Sequence, residues 1–261
     1  MKLQEIIDKI ESFAPLAMAC EGDNPGLMFG KRDKEINRVL VALDVDMGVI
    51  REAAKKGADL IVTHHPLMFD PIRQINEETP AGKCLLELAE NGIALYSAHT
   101  NLDSAKGGLN DIFADKLGIS GTKPIEITYT DENGTDYGIG RTGAIEKETT
   151  LADFAAFVCK CFDLPSTNFV GDGNAKVKTV AVCSGSGGSL LSMVSADVYV
   201  TGDIKYSGAR NAADAGQNLV IAGHYETEIC AMEVFKEILS DCPLEIICSV
   251  ANKNVFNYTE G

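Results

Sequence analysis

The fold of this chain follows from one stretch of sequence, Asp59-Leu60-Ile61-Val62-Thr63-His64-His65-Pro66. A short apolar run leads there into two histidines and a proline, which is typical of a buried strand that ends at a polar loop. Residues 93–103 and 218–228 repeat this arrangement, and a helical pattern precedes each apolar run. The pattern predicts parallel strands whose carboxyl ends carry polar side chains at one edge of a sheet, as in open α/β sheets.

Strand and helix patterns alternate in residues 1–123 and again in residues 177–261. We therefore predict an α/β fold of two facing three-layer α/β/α units with largely parallel or mixed sheets. The first unit carries His64, His65 and Asp103, and the second carries His224 and Glu228. In the second unit we expect strands near 177–183, 197–201, 218–223 and 244–250 and helices near 188–195, 207–215 and 225–240.

Residues 124–176 have a different pattern and form a small central α+β segment in this prediction. Apolar and polar residues alternate over 125–130, Asp131-Glu132-Asn133-Gly134 favours a hairpin turn, and residues 137–145 are the expected partner strand. Thr150 followed by Asp153 is a capping pattern, so a helix is expected to begin there.

Composition excludes several classes of protein. The formal net charge of −15 disfavours a nucleic-acid partner, whose phosphates need a basic surface. No apolar run approaches the roughly 20 residues that span a bilayer, so we expect no membrane segment. Eight cysteines without zinc-finger spacing are typical of free thiols in a reducing cytoplasm, which is the expected location.

The histidines and carboxylates at the strand ends are candidate metal ligands, because imidazole nitrogens and carboxylate oxygens bind Zn, Mn, Fe and related ions. His64 and His65 are adjacent and would point to opposite faces of an extended strand. Two arrangements allow both to bind metal: the chain turns at the histidines, which the following Pro66 favours, or each ring contacts a different ion of a dinuclear site. Polar core positions are the alternative role for such a pair.

His224 and Glu228 are four residues apart at the start of a helical pattern, so they share one face. That spacing suits a shared metal ion or a local contact within the helix. Asp103 either supplies negative charge to a dication or caps the turn that follows it.

His99 is a candidate direct ligand, outer hydrogen-bond partner or proton shuttle, and we favour the outer position. Asp44 ends the first strand, where it either orients a histidine or caps the next helix.

The glycine-rich segment Cys183-Ser184-Gly185-Ser186-Gly187-Gly188-Ser189 lies between a predicted strand and a predicted helix. Gly185, Ser186 and Gly187 either bind an anion through backbone amides at the helix amino end, or form a tight turn for sheet and helix packing. The segment lacks the lysine of a P-loop and the full GxGxxG pattern. Thr201-Gly202-Asp203 is a candidate second wall of the same cleft.

Together these motifs resemble the Nif-three-like family, whose members are also called GTP cyclohydrolase type 2 homologs and include YbgI-like proteins. The resemblance rests on Thr63-His64-His65-Pro66, His99-Thr100-Asn101-Leu102-Asp103, Gly185-Ser186-Gly187, Thr201-Gly202-Asp203 and Gly223-His224-Tyr225-Glu226-Thr227-Glu228, in this order over nearly the whole chain. It implies two divalent cations, such as Zn, Fe or Mn, held by His64, His65, Asp103, His224 and Glu228. The carboxylates of Asp103 and Glu228 are the implied bridges.

The resemblance also implies a toroidal homohexamer whose sites face its cavity. The chain departs from the family pattern after the Thr-Gly-Asp motif: members often carry a histidine there, and this chain has Lys205-Tyr206-Ser207. It also lacks the long central insertion of some relatives.

The leading functional hypothesis is a metal-dependent hydrolase that acts on a small molecule, namely a nucleotide, a phosphoester or a purine-like ring. Two ions would activate water and polarise the bond under attack. The alternative is a metal-binding regulatory or scaffold protein without turnover. The sequence assigns no catalytic residue.

Overall fold

The computed structural model describes residues 1–257, which form helices and two large mixed sheets. The helices are α1 Leu3–Phe13, α2 Met47–Lys56, α3 Pro80–Glu90, α4 Thr100–Ser104, α5 Leu109–Lys116, α6 Leu151–Cys161, α7 Tyr206–Asp214, α8 His224–Glu228 and α9 Ala231–Ile238. The strands are β1 Gly26–Phe29, β2 Arg38–Ala42, β3 Leu60–Thr63, β4 Ala94–Ser97, β5 Ile119–Lys123, β6 Glu126–Thr130, β7 Asp136–Ile139, β8 Arg141–Thr150, β9 Asn168–Val170, β10 Lys176–Ser186, β11 Val198–Asp203, β12 Leu219–Ile221 and β13 Glu245–Cys248. The predicted α/β class with mixed sheets is confirmed.

The chain divides into two compact units, and their boundaries differ from the predicted ones at residues 123 and 177. Unit 1 combines Met1–Leu102 with Cys230–Val255, and unit 2 consists mainly of Asp103–Ile229. The difference has a physical cause in strand pairing. Strand β13 pairs with β2, which brings the C-terminal region into unit 1, and β8 and β9 pair with β10 and β12, so residues 124–176 are no separate segment.

Unit 1 is built on a five-stranded sheet in the order β1-β4-β3-β2-β13. Strands β13, β2, β3 and β4 are parallel, and β1, which was not predicted from the sequence, is antiparallel to β4. All four residues of β3 and of β4 are buried, as expected for parallel strands covered on both faces. Helix α1 buries its apolar face, with Leu3, Ile6, Ile7 and Ile10 inside.

The register of this sheet places three strand ends at one edge. Thr63, the last residue of β3, lies opposite Ala42 of β2 and Ser97 of β4. The residues that follow these strands, among them His64 and His99, therefore leave the sheet side by side. This is the arrangement that the strand-end pattern predicted for unit 1.

Unit 2 is built on a six-stranded sheet in the order β5-β8-β10-β11-β12-β9, with β10, β11 and β12 parallel. Ser186 of β10 lies opposite Asp203 of β11. After β12 the chain turns at Gly223, whose φ of 82° favours glycine, and α8 begins with His224. The candidate ligands of α8 thus follow the same sheet edge as the end of β11.

Three local predictions differ from the structure. Instead of a helix at 188–195 there is a three-residue 3-10 helix, Gly188–Leu190, and the helix predicted at 225–240 is divided into α8 and α9. The predicted hairpin exists as β6 and β7. However, the partner strand ends at Ile139, because Gly140 turns the chain with a φ of 66° and β8 then joins the large sheet.

Within residues 1–257, no helix has both the length and the apolar character that crossing a membrane requires.

Glu52 on α2 holds the chain that follows β13. Its carboxylate accepts hydrogen bonds from Ser249 Oγ at 2.6 Å, from the amides of Val250 and Ala251 at 3.1 and 2.9 Å, and from Lys56 Nζ at 2.6 Å. Partial burial acts to raise the pKa of Glu52, but these hydrogen bonds outweigh it and lower the pKa to about 2. The carboxylate is therefore charged at neutral pH and caps residues 249–251.

We expect Glu52→Ala to lower the free energy of unfolding by about 2 kcal/mol at neutral pH, because hydrogen bonds to a charged group are lost. Since the folded-state pKa is depressed, this stabilisation is present above the ordinary pKa of 4.5 and is lost as the pH falls towards about 2. Urea denaturation at several pH values measures both effects. Arg51→Ala, on the exposed side of the same helix, should change stability by less than about 0.5 kcal/mol. A pH-independent difference for Glu52→Ala would contradict the assignment.

Candidate metal centre

Three histidines of unit 1 lie together, and we call His64, His65 and His99 the histidine set. One ring nitrogen from each lies within 4.8 Å of the others. The ring centroids of His64 and His65 are 5.0 Å apart, and that of His99 lies 5.1 and 5.7 Å from them. The structure therefore brings His99 next to the predicted ligands.

The adjacent rings of His64 and His65 do not point to opposite faces, because β3 ends at Thr63 and the chain bends at both histidines. Thr63 Oγ1 donates a hydrogen bond to the carbonyl of His65 at 2.8 Å, and the amide of His65 donates to the carbonyl of Leu43 at 2.9 Å. These bonds hold the bend. Of the two arrangements considered from the sequence, the structure contains the turn.

The Nδ1 atoms of both histidines are engaged by oxygen acceptors. Nδ1 of the buried His64 lies 2.9 Å from the carbonyl oxygen of Ala98, and Nδ1 of His65 lies 2.7 Å from Oδ1 of Asp44. Neither oxygen is a donor, so Nδ1 carries the proton and the neutral ring has its lone pair on Nε2. Metal-bound histidines typically show this arrangement, in which the second nitrogen donates to a carboxylate or carbonyl.

His99 has the same arrangement with a different carboxylate. Its Nδ1 lies 2.9 Å from Oδ1 of Asp23, and Asp23 also accepts hydrogen bonds from the amide and hydroxyl of Thr100. Burial acts to raise the pKa of Asp23, but the bonds from His99 and Thr100 lower it to about 2. Asp23 is thus charged at neutral pH behind His99.

Asp44 had two candidate roles, and its contacts distinguish between them. Its carboxylate bonds to His65, while the residue that caps α2 is Asp46, whose Oδ1 accepts from the amide of Val49 at 2.8 Å. Asp44 therefore orients a histidine and does not cap the helix.

A second group, which we call the acidic set, lies in unit 2 and consists of Asp103, His224 and Glu228. One carboxylate oxygen of Asp103 and one of Glu228 lie within 4.8 Å of each other, and both residues are buried, with 7% and 4% of their surface exposed. Two carboxylates so close together repel each other and are costly to bury unless positive charge compensates them. This pair is suited to receive a cation.

His224 supplies part of that positive charge when metal is absent. Its Nε2 lies 2.9 Å from Oε2 of Glu228, and its Nδ1 lies 2.7 Å from Oδ2 of Asp203. The hydrogen bond to Glu228, reinforced by both carboxylate charges against the effect of burial, raises the pKa of His224 to about 9. A metal ion that binds Nε2 therefore has to displace a proton at neutral pH.

Asp103 lies inside α4 and is positioned by β10. Ser184 Oγ donates to Asp103 Oδ1 at 3.1 Å. The buried side chain of Asn110 donates to the carbonyl of Asp103 at 3.2 Å and accepts from the amide of Ser184 at 3.0 Å. Asn110 therefore fixes the backbone of α4 to the strand that carries the glycine-rich segment.

Gly185 is required by its close approach to the acidic set. It has a φ of +59°, and a Cβ added to it would lie 1.9 Å from Oε1 of Glu228 and 3.2 Å from Nε2 of His224. Its amide donates to Thr227 Oγ1 at 3.0 Å. The packing interpretation of this segment is thus observed at Gly185.

The anion-binding interpretation depended on the amino end of a helix predicted after Gly187. That prediction is wrong, because the three-residue 3-10 helix Gly188–Leu190 occupies this place. Anion binding by Gly185, Ser186 and Gly187 stays a prediction without that support. The segment Lys205-Tyr206-Ser207, where the chain departs from the family pattern, is exposed at the start of α7.

Two residues that hold the candidate ligands were not predicted from the sequence, namely Asp23 behind His99 and Asn110 beside Asp103. Asp203, Ser184 and Thr227 lie in the quoted motifs, but their contacts with His224, Asp103 and Gly185 were not predicted. Apart from Asn110 and Asp103, these partners are at least 21 positions apart along the chain, so spacing alone does not identify the contacts.

The donors of both sets suit a divalent cation. They comprise the imidazole nitrogens of the histidine set held as Nδ1–H tautomers, Nε2 of His224 once it has lost its proton, and buried carboxylate oxygens, the mixture that Zn, Mn and Fe accept. The donor chemistry therefore fits metal binding.

We expect Gly185→Ala to destabilise the protein more than Gly216→Ala. Both glycines have positive φ, and an alanine costs about 1 kcal/mol there, but the added Cβ at Gly216 has no neighbour within 4 Å. At Gly185 the methyl group displaces Glu228 as well. Thermal unfolding measures the stability difference, and competition with a chromogenic chelator should show weaker metal binding for Gly185→Ala alone. Equal effects of the two substitutions would contradict the close approach.

Known proteins match this chain over nearly its whole length. The model of the family described as Duf34/NIF3 (NGG1p interacting factor 3) matches residues 1–255. A Clostridium perfringens protein named GTP cyclohydrolase 1 type 2 homolog is 37% identical and is covered over 100% of its length by 99% of this chain. A Methanocaldococcus jannaschii protein of the same name is 42% identical, with 95% of this chain and 98% of the relative aligned.

Solved structures of proteins related to NIF3 have the same fold as this chain. The crystal structure of a Bacillus cereus protein related to NIF3 has a TM-score of 0.89 and 27% identity, with 99% of both chains covered. The resemblance drawn from the histidine and aspartate motifs is therefore confirmed, and this chain belongs to the Duf34/NIF3 family.

Proposed function

We propose that this protein is a metal-dependent hydrolase that uses two divalent cations, of the Zn, Fe or Mn type, held by His64, His65, Asp103, His224 and Glu228. The observation that carries the proposal is the buried pair of carboxylates in the acidic set, which needs compensating positive charge. The Nδ1 hydrogen bonds of all four histidines support it, since each leaves Nε2 as the nitrogen that can bind metal.

In this proposal the carboxylates of Asp103 and Glu228 would hold the cations together with the histidines, and Asp44 and Asp203 would orient His65 and His224. Divalent cations supply Lewis acidity and lower the pKa of water, which provides a nucleophile near neutral pH. The protein's own contribution is orientation: Ser184 fixes one oxygen of Asp103, and Gly185 allows Glu228 to lie against β10. His99, held by Asp23, is the proposed outer hydrogen-bond partner next to His64 and His65.

The proposed substrate is a small molecule, namely a nucleotide, a phosphoester or a purine-like ring. The name of the relatives, GTP cyclohydrolase 1 type 2 homolog, supports a purine nucleotide. The net charge of −15 means that an anionic substrate depends on bound cations for its attraction.

We expect protein purified without a polyhistidine tag to contain bound first-row metal by elemental analysis. Asp103→Ala and Glu228→Ala should each lower the metal content, because each removes a carboxylate that compensates the cation charge. Asp115→Ala, an exposed aspartate of α5, is the matched control and should retain the wild-type content. Protein that stays free of metal when offered Zn, Mn and Fe would refute the proposal.

The same preparations test hydrolysis. Chelation should abolish turnover of the active member of a panel of nucleoside triphosphates, phosphoesters and purine-like cyclic amides, and the native metal should restore it. Metal-loaded protein that turns over no member of the panel would assign the chain instead to the regulatory or scaffold class.

We also propose that the protein is a homohexamer, the toroidal assembly that the family resemblance implies. Light scattering coupled to size-exclusion chromatography should give six times the chain mass of 27.9 kDa. A monomer or dimer mass at working concentration would reject it.

A further inference from the structure

The chain after β13 runs along the end of β2 in unit 1. The amide of Ser249 donates to the carbonyl of Val41 at 2.9 Å, and Asn252 reaches the two residues that follow β2. Asn252 is 7% exposed, so its side-chain amide is buried. A buried polar side chain is stabilising only when its hydrogen bonds are made, and Asn252 makes several.

The side chain of Asn252 holds both the backbone and the carboxylate of Asp44. Its Oδ1 accepts hydrogen bonds from the amide of Leu43 and, at 3.0 Å, from that of Asp44. Its Nδ2 donates to Oδ2 of Asp44 at 3.3 Å. The other oxygen of Asp44, Oδ1, accepts from Nδ1 of His65 at 2.7 Å.

The two carboxylate oxygens of Asp44 thus accept hydrogen bonds from different residues, Oδ1 from His65 and Oδ2 from Asn252. A carboxylate held at one oxygen can rotate about its last side-chain bond, whereas contacts at both oxygens and at the backbone amide determine its direction. That direction decides where the ring of His65 points, because the Nδ1 bond aligns the imidazole.

We infer that Asn252 is a positioning residue for the candidate metal ligand His65, acting through Asp44. The inference rests on the proposed metal binding and deepens it, since it extends the metal centre to a residue about 190 positions away along the chain from His65. Groups behind a metal ligand typically change metal affinity by about 10- to 100-fold when they are removed.

The position of Asn252 is itself fixed by α2. Its amide donates to Ser249 Oγ at 3.2 Å, and that hydroxyl donates to Glu52 at 2.6 Å. The contacts therefore run continuously from Glu52 through Ser249, Asn252 and Asp44 to His65. The segment 249–252 is a structural support of the histidine set.

Asn252→Asp separates the acceptor role of the side chain from its donor role. Aspartate keeps an acceptor for the amides of Leu43 and Asp44, but it loses the donor to Asp44 and places a like charge beside it. At mildly alkaline pH, where both carboxyls are ionised, we expect metal affinity to fall by about tenfold, measured by competition with a chelator. The visible absorption of the Co²⁺-loaded protein should change, because the ligand field reports the position of His65.

Two controls accompany this variant. Hydrogen exchange at the amides of Leu43 and Asp44 should remain slow, which shows that the fold is kept. Asn133→Asp adds the same charge in the exposed turn between β6 and β7 and should leave affinity and spectrum unchanged. If Asn252→Asp disturbs the fold, Asn252→Ala replaces it, with a loss of affinity at least as large.

A double-mutant cycle tests whether Asn252 acts through Asp44. Asp44→Ala alone should weaken metal binding by about tenfold or more, and adding Asn252→Asp to it should change affinity by less than about twofold. An equal loss in both backgrounds would show a direct charge effect and overturn the inference. If the single Asn252→Asp variant bound metal with wild-type affinity and gave the wild-type spectrum, the inference would be overturned while the proposed metal binding would stand. If the wild-type protein bound no metal, the proposed function itself would be overturned.

Discussion

The hydrogen bond from each histidine Nδ1 to an oxygen acceptor is the interaction on which the candidate site depends. The carbonyl of Ala98 and the carboxylates of Asp44, Asp23 and Asp203 serve His64, His65, His99 and His224 respectively. Each bond keeps a proton on Nδ1 and fixes one ring direction, so that Nε2 is the nitrogen that can bind metal, in His224 after loss of its second proton. Histidines that only fill polar positions in a core have no need for this uniform orientation.

The acidic set adds a second constraint, which is electrostatic. Asp103 and Glu228 are buried next to each other, and in the absence of a cation the imidazolium of His224 provides compensation. Gly185 makes this burial possible, because any side chain there would occupy the place of the Glu228 carboxylate. A glycine-rich segment that was a candidate for anion binding thus brings a strand, at Gly185, close to a carboxylate. The same sequence pattern serves either purpose, since both require backbone without a Cβ.

Much of the fold could be predicted because the strands of both units are short apolar runs bounded by polar residues. The runs at 60–63, 94–97 and 219–221 are strands, and Thr150 begins a helix as its capping pattern predicts. The predictions that differ from the structure concern strands whose partners are distant along the chain. Strand β13 pairs with β2 and not with a strand of the second half, and β8 leaves the hairpin to join a larger sheet, neither of which is encoded in local periodicity.

The sequence by itself determined the donor types and their positions after buried strands, because apolar runs and residue spacing are local properties. It therefore identified His64, His65, Asp103, His224 and Glu228 as candidates, together with the family. Only the tertiary structure decided which groups stand behind them, since Asp23, Asp203 and Asn252 reach their partners across 76, 21 and 208 positions of the chain. Such contacts arise from strand order and register, which depend on the packing of the whole unit and not on any short stretch of residues.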